Sequence, residues 1–202
     1  MSTAASRPAV DAGTDWHRSL AHAVRCPAEL IRRLDLPDSL LPAARRAAQE
    51  FPVMVTESYL DRIQAGDPHD PLLRQILPLA SETETHPEFS RDAVGDTAAR
   101  IGPGLIHKYR GRALLIATGA CAIHCRYCFR RHYDYHHDPR QLDAWQPALR
   151  ILQADTSIRE LILSGGDPLM LVDQRLRDLI GLIEDIPHIK RLRIHTRLPI
   201  VL

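Results

Sequence analysis

Short apolar runs alternate with helical stretches in the second half of the chain. The runs are residues 113–117, 161–163 and the more weakly apolar 192–194, and the stretches between them cover about residues 141–154 and 173–185. An order of strand, helix, strand, helix, strand predicts βαβαβ units, in which a parallel sheet is covered on both faces. The chain is therefore predicted to be an α/β protein.

A polar motif directly follows each of the three apolar runs. The first is followed by a cysteine-rich loop, the second by residues 164–168 (SGGDP) and the third by residues 195–197 (HTR). Active sites of (β/α) barrels and of open α/β sheets are built from loops at the carboxyl ends of strands. We therefore expect the three motifs to meet at one end of one sheet.

The cysteine loop carries Cys121, Cys125 and Cys128 in a CxxxCxxC spacing. A [4Fe–4S] cluster normally takes four Cys ligands, so three thiolates would leave one iron open to a small molecule. Three buried thiols are disfavoured because the flanking residues are polar and basic. A zinc site with His124 or His132 as fourth ligand is a weaker alternative, because structural zinc usually uses two ligand pairs and the chain has no second CxxC.

The glycine pair in the second motif has two readings. Without side chains, Gly165 and Gly166 would let a ligand approach the backbone, whose N–H and C=O groups could grip an amine or a carboxylate. A plain strand-to-helix turn uses the same residue types. The neighbouring cysteine loop favours the ligand site.

A set of mainly basic residues and one aromatic side chain each have two possible roles. Arginine suits bidentate contact with carboxylate or phosphate, but a solvated surface is the ordinary role of clustered charges. Tyr127 would either stack on a planar ring or pack against the protein. The basic set comprises Lys108, Tyr109, Arg112, Arg130 and Arg131.

Composition excludes several classes of protein. The 202 residues carry a net charge of +1, which argues against a broad nucleic-acid or membrane surface. The sequence shows no long apolar run and no secretory signal, so we expect a cytoplasmic protein. Four cysteines, three of them clustered, do not resemble a disulfide framework, and Cys26 is predicted to be an ordinary packing residue.

The first half of the chain is predicted to be mainly helical. Residues 1–13 lack periodicity and are expected to be a disordered tail, and residues 14–104 form a helical region that ends in an irregular connection. Helix starts are predicted at Pro27, at Thr56 and at Asp70, where a proline or a capping residue precedes apolar positions.

The motifs together resemble the radical S-adenosylmethionine (SAM) enzymes, and most closely the lysine 2,3-aminomutase family in its elongation factor P branch. This resemblance implies a partial (β/α) barrel with parallel strands over residues 105–202, apparently truncated, after the helical N-terminal region. The matching stretches are residues 67–74, 103–112, 125–132, 164–170 and 186–195.

The resemblance also implies roles for the residues of the three motifs. The three cysteines would hold three irons of a [4Fe–4S] cluster, and the fourth iron would bind the amino and carboxylate groups of SAM. Tyr127 would lie near the adenine of SAM. Gly165, Gly166 and Asp167 would contact its amino acid part. The strand end that carries His195, Thr196 and Arg197 is expected to face SAM.

A second cofactor, pyridoxal 5′-phosphate (PLP), is implied by the same resemblance. Tyr109 and Arg112 match PLP-contacting positions, Lys108 stands where a relative carries Arg, and Arg130 matches a position that binds the substrate carboxylate. The family's PLP-bearing lysine is expected beyond residue 202, so no catalytic residue is assigned within the chain, and we expect the chain alone to be inactive.

The implied activity is conversion of L-lysine to (R)-β-lysine by PLP-assisted migration of nitrogen from C2 to C3, for modification of elongation factor P. The implied partners are free lysine, a reductant such as flavodoxin or ferredoxin, elongation factor P with its lysyl-transferring enzyme, and a second copy of the chain. A catabolic aminomutase for lysine or another amino acid, and a non-catalytic cluster-binding or zinc-binding fragment, are the alternatives.

Overall fold

A computed structural model describes residues 16–135 and 142–202 of the chain. The tail predicted for residues 1–13 lies outside these ranges. The described part consists of a helical N-terminal region and a five-stranded sheet with two helices on one face.

The sheet contains β1 (Arg100–Gly102), β2 (Leu105–Tyr109), β3 (Arg112–Thr118), β4 (Glu160–Gly165) and β5 (Arg191–Ile194), in that spatial order. The pairs β3–β4 and β4–β5 are parallel, as the alternation of strands and helices predicts, so the α/β class is confirmed. The antiparallel hairpins β1–β2 and β2–β3 were not predicted.

Two helices, α5 (Leu142–Ala154) and α6 (Asp173–Glu184), connect the parallel strands and cover one face of the sheet. The side chains that alternate toward this face form a buried core with both helices, which includes Leu115, Leu163 and Leu179. Because successive strand residues point to opposite faces, the remaining positions of β3 and β4 face away from the helices.

The N-terminal region contains α1 (Trp16–Ala21), α2 (Pro27–Arg33), α3 (Leu41–Glu50) and α4 (Glu57–Leu60), joined by short 3₁₀ turns. The helical pattern expected here is interrupted where Val24 and Val55 pair as a single antiparallel β-bridge.

Helices do begin at two of the three predicted starts, but the capping role of Thr56 and the helix predicted at Asp70 need correction. Pro27 does begin α2. Thr56 precedes α4 but does not cap it, because its buried hydroxyl donates a hydrogen bond to the carbonyl of Val201. Asp70 accepts hydrogen bonds from the N–H groups of Leu72 and Leu73, at 2.7 and 2.9 Å, but only a 3₁₀ turn follows, at Leu73–Gln75.

A second core joins the N-terminal region to the loops of the sheet. Buried side chains of the first 77 residues pack together with Ala122 and Ile123 of the cysteine loop and with Leu198 and Val201 after β5. The division of the chain at residue 104 stays a prediction. No helix within residues 16–135 and 142–202 is long and apolar enough to cross a membrane.

Candidate metal centre and active site

The three polar motifs line one cavity of about 570 Å³ at the carboxyl ends of β3, β4 and β5. The cavity wall includes all three clustered cysteines, residues 164–167 and residues 194–197. The structure therefore brings together the motifs that the order of strands and loops was expected to gather.

The three cysteines lie on a loop that is tied to the N-terminal region through its backbone. The N–H of Cys128 donates to the carbonyl of Cys125 at 3.0 Å, which closes a turn. On either side of Cys125, the N–H of His124 donates to Met54 O and the N–H of Arg126 to Gln75 O, both at 2.8 Å. The loop geometry thus depends on segments far away in sequence.

Burial makes thiolates at Cys121 and Cys125 unfavourable without a neighbouring positive charge. Desolvation, reinforced by Cys128 and Cys125, raises the pKa of Cys121 to about 12. Desolvation also raises the pKa of Cys125, although Arg197 acts in the opposite direction. Metal binding resolves this conflict, because the ligands bind as thiolates to a positively charged centre.

The donor set fits an iron–sulfur cluster better than zinc. His124 Nδ1 lies 2.9 Å from Pro52 O, and its ring stacks on Phe51. His132 lines a different cavity. In the described ranges, no group of three His, Cys, Asp or Glu side chains is arranged to hold one metal ion. A cluster distributes its cysteines over three irons, so they need not converge on one point.

The paired glycines serve the chain's own packing. A Cβ on Gly165, whose φ is +130°, would overlap the carbonyl of Thr118, and a Cβ on Gly166 would overlap that of Ala120. The N–H of Gly166 donates to Thr118 O and that of Asp167 to Ala120 O, both at 2.7 Å. This corrects the expectation that these N–H groups are exposed to grip a ligand.

The carboxylate of Asp167 joins the ends of β4 and β5. It is buried, and it accepts hydrogen bonds from the hydroxyl of Thr196 at 2.6 Å, from the N–H of Arg197 at 2.6 Å and from that of Leu198 at 2.9 Å. Asp167 and Thr196 thus set the shape of the cavity wall, and their contact with SAM stays a prediction.

The guanidinium of Arg197 brings a positive charge to the cysteine loop. It contacts Cys125 Sγ, Tyr127 Oη and Gln75 Oε1, and its Cζ lies 5.4 Å from the centre of the Tyr127 ring. The ring of Tyr127 is largely exposed at the cavity wall. The pair therefore forms one side of the cavity around the second cysteine.

The predicted PLP contacts line a neighbouring cavity of about 310 Å³ on the sheet face that carries no helices. This second cavity shares three wall residues with the first, so the two adjoin. Its predicted members are Lys108, Tyr109, Arg112 and Arg130, and the shared residues are Phe129, Arg130 and His195.

Arg130 lies at the boundary of the two cavities and is held by a buried carboxylate. Its Nε donates to Asp96 Oδ2 at 2.7 Å and its Nη1 to Ser164 Oγ at 3.2 Å. Asp96 is only 3% exposed and also forms an ion pair with Lys108. Two of the predicted cationic residues therefore share one carboxylate.

Arg112 lies at the opposite end of β3 from the cysteine loop. Its Nε lies 2.8 Å from Glu160 Oε1, and Glu160 also pairs with Arg191 and Arg193. Desolvation would raise the pKa of Glu160, but the hydrogen bond from Arg191 and the charges of Arg112 and Arg193 lower it. Arg112 is thus not gathered with the cysteines, although it borders the adjoining cavity.

Sequence analysis missed two acidic residues that contact the cysteine loop. Asp96 pairs with Arg130, and Glu82 pairs with Arg126 and Arg131. Both belong to the connection over residues 77–104, where prolines, glycines and acids show no periodicity. The only signal for them in the sequence is that the connection is rich in acidic residues, whereas the cysteine loop and the residues after it are rich in arginine.

The sequence of the chain is similar to those of proteins of known family. Residues 115–201 match the family model described as the radical SAM superfamily. The chain is 47% identical over 189 residues to the L-lysine 2,3-aminomutase of Escherichia coli and 40% identical over 195 residues to that of Haemophilus influenzae. Similarity to the L-lysine 2,3-aminomutase of Clostridium subterminale is lower, at 29% over 189 residues.

These alignments cover nearly all of the chain but only about half of each relative, from 45% of the Clostridium subterminale protein to 58% of the Haemophilus influenzae protein. They include 93% of the chain and 55% of the Escherichia coli protein, and 96% of the chain and 58% of the Haemophilus influenzae protein. The matched model begins within β3 and includes the three cysteines and both later motifs. The chain therefore belongs to the radical SAM superfamily and, within it, to the lysine 2,3-aminomutase family.

Proposed function

We propose that the full-length protein is a radical SAM aminomutase that converts L-lysine to (R)-β-lysine with the help of PLP, and that the product modifies elongation factor P. The observation that carries this proposal is the pair of adjoining cavities. One is lined by the three cysteines, the other by the predicted PLP contacts, and Arg130 borders both.

In this proposal the first cavity holds the cluster and SAM. Cys121, Cys125 and Cys128 bind the cluster, and Arg197 together with Tyr127 forms the wall beside Cys125. When bound, the cluster and SAM supply a radical by one-electron cleavage, and PLP delocalises the unpaired electron during nitrogen migration. The chain orients these groups and limits the access of water to them.

The second cavity binds PLP and lysine in this proposal. Lys108, Tyr109 and Arg112 contribute a hydroxyl group and two positive charges suited to a phosphate. Arg130, which lines both cavities, binds the substrate carboxylate while its Nε stays on Asp96. It would therefore hold the substrate where the two cavities adjoin.

Assignment to the elongation factor P branch rests on the motif stretches, such as residues 103–112 and 186–195. The substrate assignment draws on the printed activity of the relatives. We further propose that the enzyme is cytoplasmic and assembles with a second copy of itself. A flavodoxin or a ferredoxin would supply its electrons, and the lysyl-transferring enzyme of elongation factor P would use its product, β-lysine.

The test is anaerobic reconstitution of the full-length protein with iron, sulfide, SAM and PLP, followed by chiral chromatography of the products from L-lysine. We expect (R)-β-lysine in amounts that depend on both SAM and a reductant. Other amino acids in the same assay separate the lysine enzyme from relatives with another substrate. No β-amino acid from a protein with a full cluster would refute the proposal.

Two cysteine variants provide the matched comparison. Cys125→Ser removes a proposed ligand of the cluster. It should abolish both the brown colour that a bound cluster gives the protein and the formation of β-lysine. Cys26→Ser changes a cysteine outside the cluster loop that is exposed, contrary to the packing role predicted for it, and should leave both unchanged. Zinc without acid-labile sulfide in the purified protein would instead support a non-catalytic metal module.

A further inference from the structure

Two arginines of the cysteine loop share one carboxylate that comes from outside the loop. Arg126 lies between Cys125 and Cys128, and its Nε is 3.0 Å from both carboxylate oxygens of Glu82. Its Nη2 also donates to Glu82 Oε2. Arg131, just after the last cysteine, donates to the same oxygen at 2.8 Å.

This ion-pair cluster is shielded from solvent. The side chains of Arg126, Glu82 and Arg131 are 5%, 11% and 12% exposed. Removing one partner of a buried ion pair is costly because the other charge stays desolvated and unpaired. The position of Arg126, and with it the turn from Cys125 to Cys128, therefore depends on Glu82.

The remaining contacts of Arg126 lead to the N-terminal region as well. Its Nη1 donates to Phe51 O at 2.7 Å, and its Cζ lies 5.0 Å from the centre of the Phe51 ring. The Cζ of Arg131 lies 5.1 Å from the same ring centre. Glu82 and Phe51 together confine both guanidinium groups.

Glu82 is itself held in place by a hydrogen bond from its own backbone turn. It lies in the 3₁₀ turn Ala80–Thr83, and its Oε1 accepts a hydrogen bond from the N–H of Leu79 at 2.9 Å. A carboxylate that is fixed to its own backbone can orient a partner without first losing rotamer freedom. The turn therefore presents a preformed anchor to the loop.

We propose that Glu82 is a positioning residue for the metal centre: through Arg126 and Arg131 it fixes the turn that carries Cys125 and Cys128, and so controls how firmly the cluster is held. Glu82 does not contact the cysteines, so it acts through another residue. This inference depends on the cluster within the proposed function and is independent of the lysine substrate.

The test compares Glu82→Gln with Glu160→Gln in the full-length protein. Glu160 is also a buried carboxylate among arginines, but it lies at the other end of the sheet from the cysteines. Both changes remove one buried negative charge and keep the side-chain shape. Each variant is reconstituted anaerobically, and iron loss to a chelator is followed by absorbance.

We expect Glu82→Gln to lose iron about tenfold faster than the wild type, a typical effect for a residue that supports a metal ligand. The electron paramagnetic resonance spectrum of its reduced cluster should also change. Glu160→Gln should lose iron at the wild-type rate with an unchanged spectrum, even if both variants unfold at a lower temperature. Equal rates and spectra in wild type and Glu82→Gln would overturn the proposal.

A milder variant decides the matter if Glu82→Gln does not fold. Glu82→Asp keeps the negative charge but shortens the side chain, so the carboxylate can no longer reach both guanidinium groups as it does in the wild type. Faster iron loss than wild type supports the proposal, and the wild-type rate overturns it. A wild-type protein without any cluster would instead refute the proposed function itself.

Discussion

At the scale of single residues, the most consequential contact is the carboxylate that Lys108 and Arg130 share. The side chain of Asp96 is 4% exposed and that of Arg130 is 8% exposed. We predict that Asp96→Asn destabilises the full-length protein by about 3–5 kcal/mol, because the buried Arg130 and the partly buried Lys108 lose their counter-charge. Urea unfolding measures the difference.

The matched control for this prediction is Glu57→Gln. Glu57 pairs with Arg33 at 2.8 Å, but its side chain is 52% exposed, so the change should cost no more than about 1 kcal/mol. A similar loss of stability in the two variants would show that burial of the pair around Asp96 has no special weight.

The glycines of the second motif allow a test of close backbone packing. In Gly166→Ala the new Cβ would overlap Ala120 O, so the start of the cysteine loop must move. We predict a lower iron content and a lower melting temperature. Gly181→Ala is the control: it lies in α6 with no atom within 4 Å of a new Cβ, and alanine should stabilise the helix by up to about 1 kcal/mol.

Residues of the candidate site were predictable from sequence where they lie close together in the chain, and not where they come from distant segments. The CxxxCxxC spacing indicates a thiolate site because its three ligands are close in sequence. The partners of that loop, such as Glu82, Asp96 and Gln75, come from segments 34–52 residues away. No periodicity or spacing connects them, and only tertiary packing brings them together.

At the scale of elements, Asp70 caps a short turn at the place where a helix was predicted. Its carboxylate accepts hydrogen bonds from the N–H groups of Gln64, Leu72 and Leu73. Desolvation would raise the pKa of Asp70, but the three N–H groups lower it below its ordinary value. The ionised form is therefore the one that stabilises the fold.

We predict a pH-dependent difference between the wild type and Asp70→Asn. Because the pKa is lower in the folded state, the stabilisation is complete above the unfolded pKa of about 3.9 and is lost as the pH falls through the folded value. Urea unfolding should show the full difference at pH 6 and a smaller one below about pH 4. In Asp67→Asn, where the exposed carboxylate accepts one N–H, from His69, we expect a much smaller difference at pH 6.

Elements that are strongly apolar were predictable from sequence, and short hairpins were not. The strands β3 and β4 are buried on both faces, so they appear as continuous apolar runs. By contrast, β1 has only three residues, and β2 has only two aliphatic residues before its basic positions His107 and Lys108. Their pairing depends on turns at Gly104 and Gly111, both with positive φ, which sequence patterns indicate only weakly.

At the scale of the whole molecule, the candidate metal centre lies against one of the two hydrophobic cores. The core of the N-terminal region includes Ala122 and Ile123 of the cysteine loop, whereas the core around α5 and α6 includes no residue of that loop. A ligand that binds only the folded state stabilises whatever must fold to bind it. Cluster binding should therefore act mainly on the N-terminal core.

Hydrogen exchange of the full-length protein with and without its cluster tests this coupling. We predict slower exchange on cluster binding in the segments that support the loop, including the pairing of Val24 with Val55 and the turn at Leu73–Gln75. Exchange within α5 and α6, whose core excludes the cysteines, should change less and serves as the internal control. Slower exchange confined to residues of the cysteine loop would contradict the prediction. In that case the N-terminal region would support the loop without sharing in the binding energy of the cluster.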